Sequence, residues 1–333
     1  MKDKILIVGG AGYIGAHMAK MLANSNHEVV ILDNLSTGFR HLAKYGELVV
    51  GDLADTHLLE NLFRSHDFSG VIHFAANSLV GESMANPAKY YRNNVAGTLN
   101  LLDVMLRHEV KNLIFSSTAA TFGEPEYTPI DEKHPQRPIN TYGTTKLMVE
   151  TILQDYANAY GFNSVCLRYF NACGADPEGE LGECHEPETH LIPLILQAAS
   201  GKRDAITVFG RDYPTEDGTC IRDYIHINDL CSAHALALAA LISKQKSGAL
   251  TYNLGNGSGF SVQQVLDVVQ AVVAEDNYHV TVLSGERRAG DPAVLVADAQ
   301  KAKTELNWQP VFNNLETIVR HAWAWEKQQR NLN

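Results

Sequence analysis

A tyrosine and a lysine four residues apart, in Tyr142-Gly143-Thr144-Thr145-Lys146, are the residues of this chain best suited to move a proton. They open a helical pattern that runs to about Ala159, and on a helix this spacing sets both side chains on one face. An ammonium beside a phenol favours the phenolate, the state that a general base for an alcohol's proton needs. Ahead of the pair lies Ser116-Ser117-Thr118, three hydroxyls ending a strand-like run from Lys111 where apolar residues would be usual. Such pairs are common on helices, so the chemistry depends on what else the chain provides.

It provides a dinucleotide site. Lys4-Ile5-Leu6-Ile7-Val8 reads as a buried strand and runs into Gly9-Gly10-Ala11-Gly12-Tyr13-Ile14-Gly15, followed by a helix to about Asn24. Gly9 permits the tight turn, Gly12 lets backbone N–H groups approach a pyrophosphate, and Gly15 lets the helix sit close to its strand. Tyr13 and Ile14 open the helix whose N-terminus faces the phosphates. The next strand, His27 to Leu32, ends on Asp33. A carboxylate there accepts hydrogen bonds from both adenosine ribose hydroxyls and repels a 2′-phosphate. Asn34 beside it adds no positive charge, so NAD is expected in preference to NADP. A surface turn with an incidental acid does not explain strand, glycines, helix, strand and acid in that order. The positive nicotinamide of bound NAD then joins Lys146 in drawing Tyr142 from ~10 toward neutrality.

Composition narrows the classes. The 333 residues fit one large domain or two unequal ones. A formal charge of -11 without a dense basic tract argues against nucleic acid as partner. No leader pattern precedes the first strand, and no apolar run reaches membrane-spanning length. Five cysteines, an odd number, fit a reduced, cytoplasmic setting. Cys184 and His185 with His190 nearby match no common zinc spacing, and no metal is expected.

Further strands are expected at Leu48–Gly51, Gly70–Ala76 and Asn163–Tyr169, alternating with helices at Thr56–Ser65, capped by Thr56, and at Lys89–His108. Asp52 and Leu53, after the third strand, lie where adenine rests. Phe74, Ala75 and Asn94, with Tyr142 and Lys146, complete the expected cofactor set. His73 reads as a core residue. This alternation predicts an α/β fold, a Rossmann-type doubly wound parallel sheet in residues 1–171. Residues 172–333 are expected to form mainly a smaller α/β substrate-binding domain, with later segments able to pack back onto the first. Predicted elements there include helices at Leu191–Ser200, Asn228–Ser243 and one capped by Ser261, and a strand at Tyr252–Gly255. A final helix carries Trp323 and Trp325, one expected in the core and the other partly exposed.

The glycine motif, Asn93-Asn94-Val95-Ala96-Gly97-Thr98, the Tyr142–Lys146 segment and Arg168-Tyr169-Phe170-Asn171 together resemble the extended short-chain dehydrogenase/reductase family. Three later stretches resemble its UDP-hexose 4-epimerase branch: Pro187 to Pro193, Asp217 to His226, and Arg287-Arg288-Ala289-Gly290-Asp291. That resemblance implies reversible C4 epimerisation of UDP-glucose and UDP-galactose through a 4-keto sugar and transient NADH, with NAD tightly bound. It implies Tyr142 as acid/base, Lys146 on the nicotinamide ribose, and Thr118 at the sugar's 4-oxygen. Asn171, Arg222 and Arg288 would bind the diphosphate, Asp291 the uridine-side ribose, and Leu191 would also touch substrate. Leu295 would limit the room beside C2. A homodimer built on first-domain helices is implied too. Read without the resemblance, Arg222 and Arg288 are salt-bridge partners of Asp223 or Asp291. Ser78 stands where some members carry a phosphate-side lysine, and Phe122 replaces a common tyrosine.

Four rivals remain. A UDP-N-acetylglucosamine or dual-specificity epimerase would use the same residues. A nucleotide-sugar 4,6-dehydratase needs further acid/base groups after Thr118, where this chain has Ala119-Ala120. A dehydrogenase would exchange its cofactor with solvent, and a non-catalytic NAD-sensing scaffold would not need Thr118, Tyr142 and Lys146 together.

Overall fold

The structure, a computed structural model, describes residues 2–287 and 291–331. Seven parallel strands form the central sheet, in the order Ala249–Leu254, Asn163–Tyr169, Asn112–Thr118, Gly70–His73, Lys4–Val8, Glu28–Asp33, Glu47–Val50. The order runs outward from Lys4–Val8 in both directions. In such a doubly wound sheet the ligand crevice opens where the order reverses, beyond the strands' carboxyl ends. Period-two alternation supplies the two apolar faces. Ile5 and Ile7 face a core with Met18, Leu22 and Leu230, while Leu6 and Val8 face one with Leu101, Leu102 and Met105.

The second region has its own core, built from the helices Leu191–Ala199, Val262–Ala274 and Leu315–Asn331 and the parallel pair Ile206–Phe209 and Val282–Gly285. Ser261 begins the middle helix with a capping box, its hydroxyl taking the Gln264 N–H while Gln264 reaches back. Three two-residue strands, Phe260–Ser261, Ile221–Arg222 and Val294–Leu295, form a small sheet at this region's edge. The chain does not stay on one side: the helix Ile227–Ile242 covers the central sheet, and Ala249–Leu254 is that sheet's edge strand.

Several local expectations are revised. Asp55, not Thr56, caps the Thr56–Ser65 helix, because its carboxylate accepts the Leu58 N–H at 3.0 Å. The helix expected over Lys89–His108 is divided into Pro87–Tyr90, a π-helical stretch Tyr91–Ala96, and Gly97–Arg107. Trp323 and Trp325 are both buried, because the last helix lies between two apolar groups. Trp323 packs in the second region and donates to Asp276 at 2.7 Å, while Trp325 joins Ala16, Leu42 and Leu181 and donates to the Glu183 carbonyl at 3.1 Å. Among the described residues, no helix is long and apolar enough to cross a membrane.

Candidate active site

Gly9 takes φ +83°, and a Cβ there would lie 2.6 Å from the Ala75 amide nitrogen. A Cβ on Gly15 would lie 2.1 Å from the Gly9 carbonyl oxygen, so the helix approaches the turn through bare backbone. At Gly12 the nearest heavy atom to such a Cβ is 3.5 Å away, an ordinary contact. Gly12 is the N-cap of the helix Tyr13–Asn24, no side chain caps that end, and its first turn holds no acidic residue. The result is a cradle of amides at a positive helix end, suited to a diphosphate. Tyr13 fixes the cradle to the second region, donating its hydroxyl to the Gly174 carbonyl at 2.7 Å.

Asp33 is buried and accepts from the backbone N–H of Ala11 at 2.9 Å and of Leu35 at 2.8 Å. One carboxylate thus ties the glycine turn to the end of the second strand, as a ribose-binding acid must be held. Asn34 donates to Asp52 at 2.6 Å, and Leu53 is buried behind them. Phe74 and Ala75 follow the fourth strand, both amides donating to the Val8 carbonyl. Asn94 is buried in the π-helical stretch. It accepts from the Asn77 N–H at 2.9 Å and donates to the Asn77 carbonyl and to the Thr145 hydroxyl, at 3.0 and 3.1 Å. It therefore clamps the loop after Ala75 to the helix that bears Tyr142. These contacts hold the glycine turn, Asp33 and the loop after Ala75 together at the carboxyl ends of adjacent strands.

The three hydroxyls at Ser116–Thr118 have separate partners. Ser116 pairs with the Tyr169 hydroxyl at 2.5 Å, and Ser117, on the opposite face, donates to Glu150 at 2.5 Å. Glu150 also holds Arg168 in a buried ion pair, with N–O distances of 2.9, 3.2 and 2.5 Å. Thr118 lies close enough to Tyr142 for its hydroxyl to favour the phenolate, while its Oγ1 accepts the Ala120 N–H at 3.2 Å. This meeting depends on Gly143, where a Cβ would lie 2.3 Å from the Ala120 carbonyl oxygen. The helix Thr141–Tyr160, capped by the Asn140 side chain on the Gly143 N–H, sits directly on the turn after the strand. Ser83 adds a second hold, accepting the Tyr142 N–H at 3.2 Å. Neither Gly143 nor Ser83 carries a signal in the sequence, since packing against a carbonyl leaves no periodic pattern.

Lys146 lies under the tyrosine, its Nζ 5.9 Å from the Tyr142 ring centre and 4.7 Å from that of Phe115, donating to the Ser116 carbonyl at 2.8 Å. Burial lowers its pKa from 10.5 to about 7, against the raising influence of Glu150. Burial likewise raises Tyr142 to about 12, with the Thr118 hydrogen bond pulling the other way. Lost hydration thus pushes each side chain toward its neutral form; the nicotinamide charge expected to join Lys146 in lowering the phenol is not part of this balance.

On the substrate side, Asn171 begins the short strand Asn171–Cys173, which runs parallel to Tyr224–His226. Leu191 opens the helix Leu191–Ala199. Arg222 is paired with Asp291 and also donates to the Ile221 carbonyl at 2.8 Å. Asp223 is not its partner: buried, it accepts N–H groups from Asn256, Gly257 and Ala297 at 2.6, 3.0 and 3.1 Å. Leu295 pairs in register with Arg222, half-buried beside it. Arg288 lies outside the described residues.

The two glycines predict different failures. Gly15→Ala forces a methyl into the Gly9 carbonyl and should cost about 1–3 kcal/mol of stability. Gly12→Ala should keep a near-wild-type denaturation midpoint and lose dinucleotide affinity, its methyl standing where the phosphates approach. Urea melts and NAD content of both variants check this, and equal loss of stability in both would refute the division of roles.

Residues 5–255 match the NAD dependent epimerase/dehydratase family. The chain is 50% identical to the UDP-glucose 4-epimerase of Halalkalibacterium halodurans over 324 residues, covering 97% of this chain and 96% of that one. It is similar to the crystal structure of the Brucella ovis UDP-glucose 4-epimerase in complex with NAD, with TM-score 0.92, 48% identity and coverage of 96% and 97%. It is also similar to the UDP-Glc/GlcNAc 4-epimerase of Campylobacter jejuni, with TM-score 0.84, 43% identity and coverage of 98% and 99%. By sequence motif, sheet order and overall likeness, this chain belongs to the NAD dependent epimerase/dehydratase family.

Proposed function

We propose that this chain is an NAD-dependent isomerase that interconverts UDP-glucose and UDP-galactose at C4. The observation that carries the reading is the meeting of Tyr142 with buried Lys146, whose Nζ lies 5.9 Å from the tyrosine ring centre, beside Thr118 at the carboxyl end of a strand that neighbours the dinucleotide cradle. Bound NAD supplies the redox chemistry, taking hydride from C4 and returning it to the other face. Tyr142 takes the proton of the sugar 4-hydroxyl and later gives it back, with Thr118 contacting the same oxygen. Because the chain's own groups raise the phenol, the charge that lowers it is assigned to the nicotinamide, with Lys146 as the ammonium that balances the phenolate. The 4-keto sugar turns between the two transfers, so the chain must hold the nucleotide and leave the hexose loose. Asn171, Leu191, Arg222, Arg288 and Asp291 are assigned that task. An arginine carries five N–H donors, and two contacts within the chain leave others for a diphosphate.

Residues 1–171 are assigned to the cofactor and 172–333 mainly to the UDP-sugar, with Ile227–Ile242 and Ala249–Leu254 returning to the first sheet. A homodimer is proposed through first-domain helices, among them Thr141–Tyr160, which leaves Met148 exposed. A cytoplasmic setting is proposed on the five free cysteines. The Ala119–Thr121 turn has no carboxylate beside Thr118, which disfavours removal of a C5 proton and thus a dehydratase.

Tyr142→Phe should retain bound NAD and affinity for UDP-galactose while kcat falls by about 10²–10⁴. Steady-state turnover and nucleotide titration check this, and near-normal turnover would remove Tyr142 from its role.

Specificity at C2 is assigned to Leu295. A leucine there leaves room for weaker but measurable turnover of UDP-N-acetylglucosamine beside the principal pair. Leu295→Tyr should act selectively, costing about 1–3 kcal/mol for the N-acetylated sugar, or roughly fivefold to over a hundredfold in kcat/KM. The ratio of kcat/KM for the two substrates, wild type against variant, decides it; an unchanged ratio places the gate elsewhere.

A further inference from the structure

Away from the hydroxyl cluster, the loop before the helix Leu191–Ala199 folds Glu183, His185, Glu188 and His190 together. One ligand-type atom from each lies within 4.8 Å of all the others. The separations at His185 are close to those of a coordination shell, while His190 is hydrogen-bonded to Glu183 and would open out around an ion. His185 Nδ1 is 3.1 Å from Glu183 Oε1 and 3.5 Å from Glu188 Oε2, and His190 Nδ1 also meets Glu183. Two donors bound tetrahedrally to one ion at ~2.0–2.1 Å stand about 3.3 Å apart.

Two further observations point to an ion. His185 Nδ1 is buried and makes no hydrogen bond, although two carboxylate oxygens lie near it. The Glu183 and Glu188 side chains are only 5% and 4% exposed, and among the described residues no lysine or arginine pairs with either. A buried carboxylate needs a counter-charge, and among the described residues His185 and His190, as imidazolium, are the groups placed to supply it when no ion is bound. The chain's other carboxylate cluster shows what a lysine does in that place: Lys20 Nζ lies 2.8, 2.6 and 2.9 Å from Asp176, Glu178 and Glu180.

The shell is also supported from behind, as metal ligands usually are. Glu188 Oε1 accepts the N–H groups of Thr189 and His190 at 2.7 and 2.9 Å, which fixes the carboxylate with Oε2 toward His185. The His185 ring stands edge-on to Tyr13, centres 6.2 Å apart. His185 and His190 remain 30% and 51% exposed in their side chains, so an ion has a way in.

We propose that Glu183, His185, Glu188 and His190 form a structural site for a divalent cation of the zinc class, bound tetrahedrally by two imidazoles and two carboxylates. Four protein ligands leave no open position for a reacting water, so the role is to fix the loop. That loop is held to Tyr13 at the glycine cradle and ends beside Leu191, so the ion would join the cofactor side to the substrate side. Cys184, the neighbour that a sequence reading pairs with His185, takes no part; it packs with Trp325 and Ala16.

The test uses the full chain as purified, with its cofactor, treated with chelator, desalted, and titrated with zinc sulphate alone. One zinc per chain should survive a second desalting, and the thermal midpoint should rise by about 5 °C at saturating zinc. Cobalt substitution should give the intense visible bands of a tetrahedral site. His190→Ala, which alters the most exposed ligand, should fold and lose both stoichiometric retention and the midpoint rise; His185→Gln should do the same. No retained zinc and no midpoint shift in wild type, or equal retention in wild type and both variants, would overturn the proposal and leave the cluster as a histidine–glutamate ion-pair network.

Discussion

The site depends on an ammonium held where water does not reach. Lys146 is 3% exposed and rests on the Ser116 carbonyl, with the Phe115 and Tyr142 rings beside it. Lowering its pKa from 10.5 to about 7 corresponds to a penalty on the order of 5 kcal/mol, in force below pH 7 and relieved as pH rises toward 10.5. Burial disfavours the charge on Tyr142 as well, so the chain's own surroundings push both side chains toward their neutral forms, and stabilising a phenolate there requires a further positive charge.

Close backbone contact places that pair. Gly143 brings the tyrosine helix onto the Ala120 carbonyl, and Gly9 with Gly15 brings the first helix onto its strand. Between these two contacts, Asn94 ties the loop at Asn77 to Thr145, so cofactor loop and catalytic helix cannot move independently. The buried Glu150–Arg168 pair, with Ser117 on the same carboxylate, locks the helix to the two strands beneath it. A shift at any of these points would change how Tyr142 meets Thr118 and Lys146.

The first half of the fold is legible in the sequence because most of its strands are buried on both faces and bounded by glycines and acids. Asn163–Tyr169 is predicted residue for residue, and Lys4–Val8 likewise. The second half is less so, since strands of two residues such as Ile221–Arg222 and Val294–Leu295 have no period to read. Pairing across the chain is also hidden: nothing local marks Tyr252 as part of the first sheet, or separates Trp325 from a half-exposed position. For the site, residue types and spacing point to Thr118, Tyr142 and Lys146, which the fold brings together, but not to the burial that pushes both Tyr142 and Lys146 toward their neutral forms. The same limit applies at Cys184–His190, where the carboxylates that meet the histidines become evident only when the loop is folded.

The central claim is that hydride leaves C4 and returns to it without entering solution. The most direct measurement uses UDP-galactose carrying deuterium at C4, incubated with the enzyme and an excess of unlabelled free NAD and NADH. The account predicts UDP-glucose with its deuterium retained at C4 and none in the free NADH. Loss of the label from the sugar, with deuterium appearing in the free NADH, would contradict it.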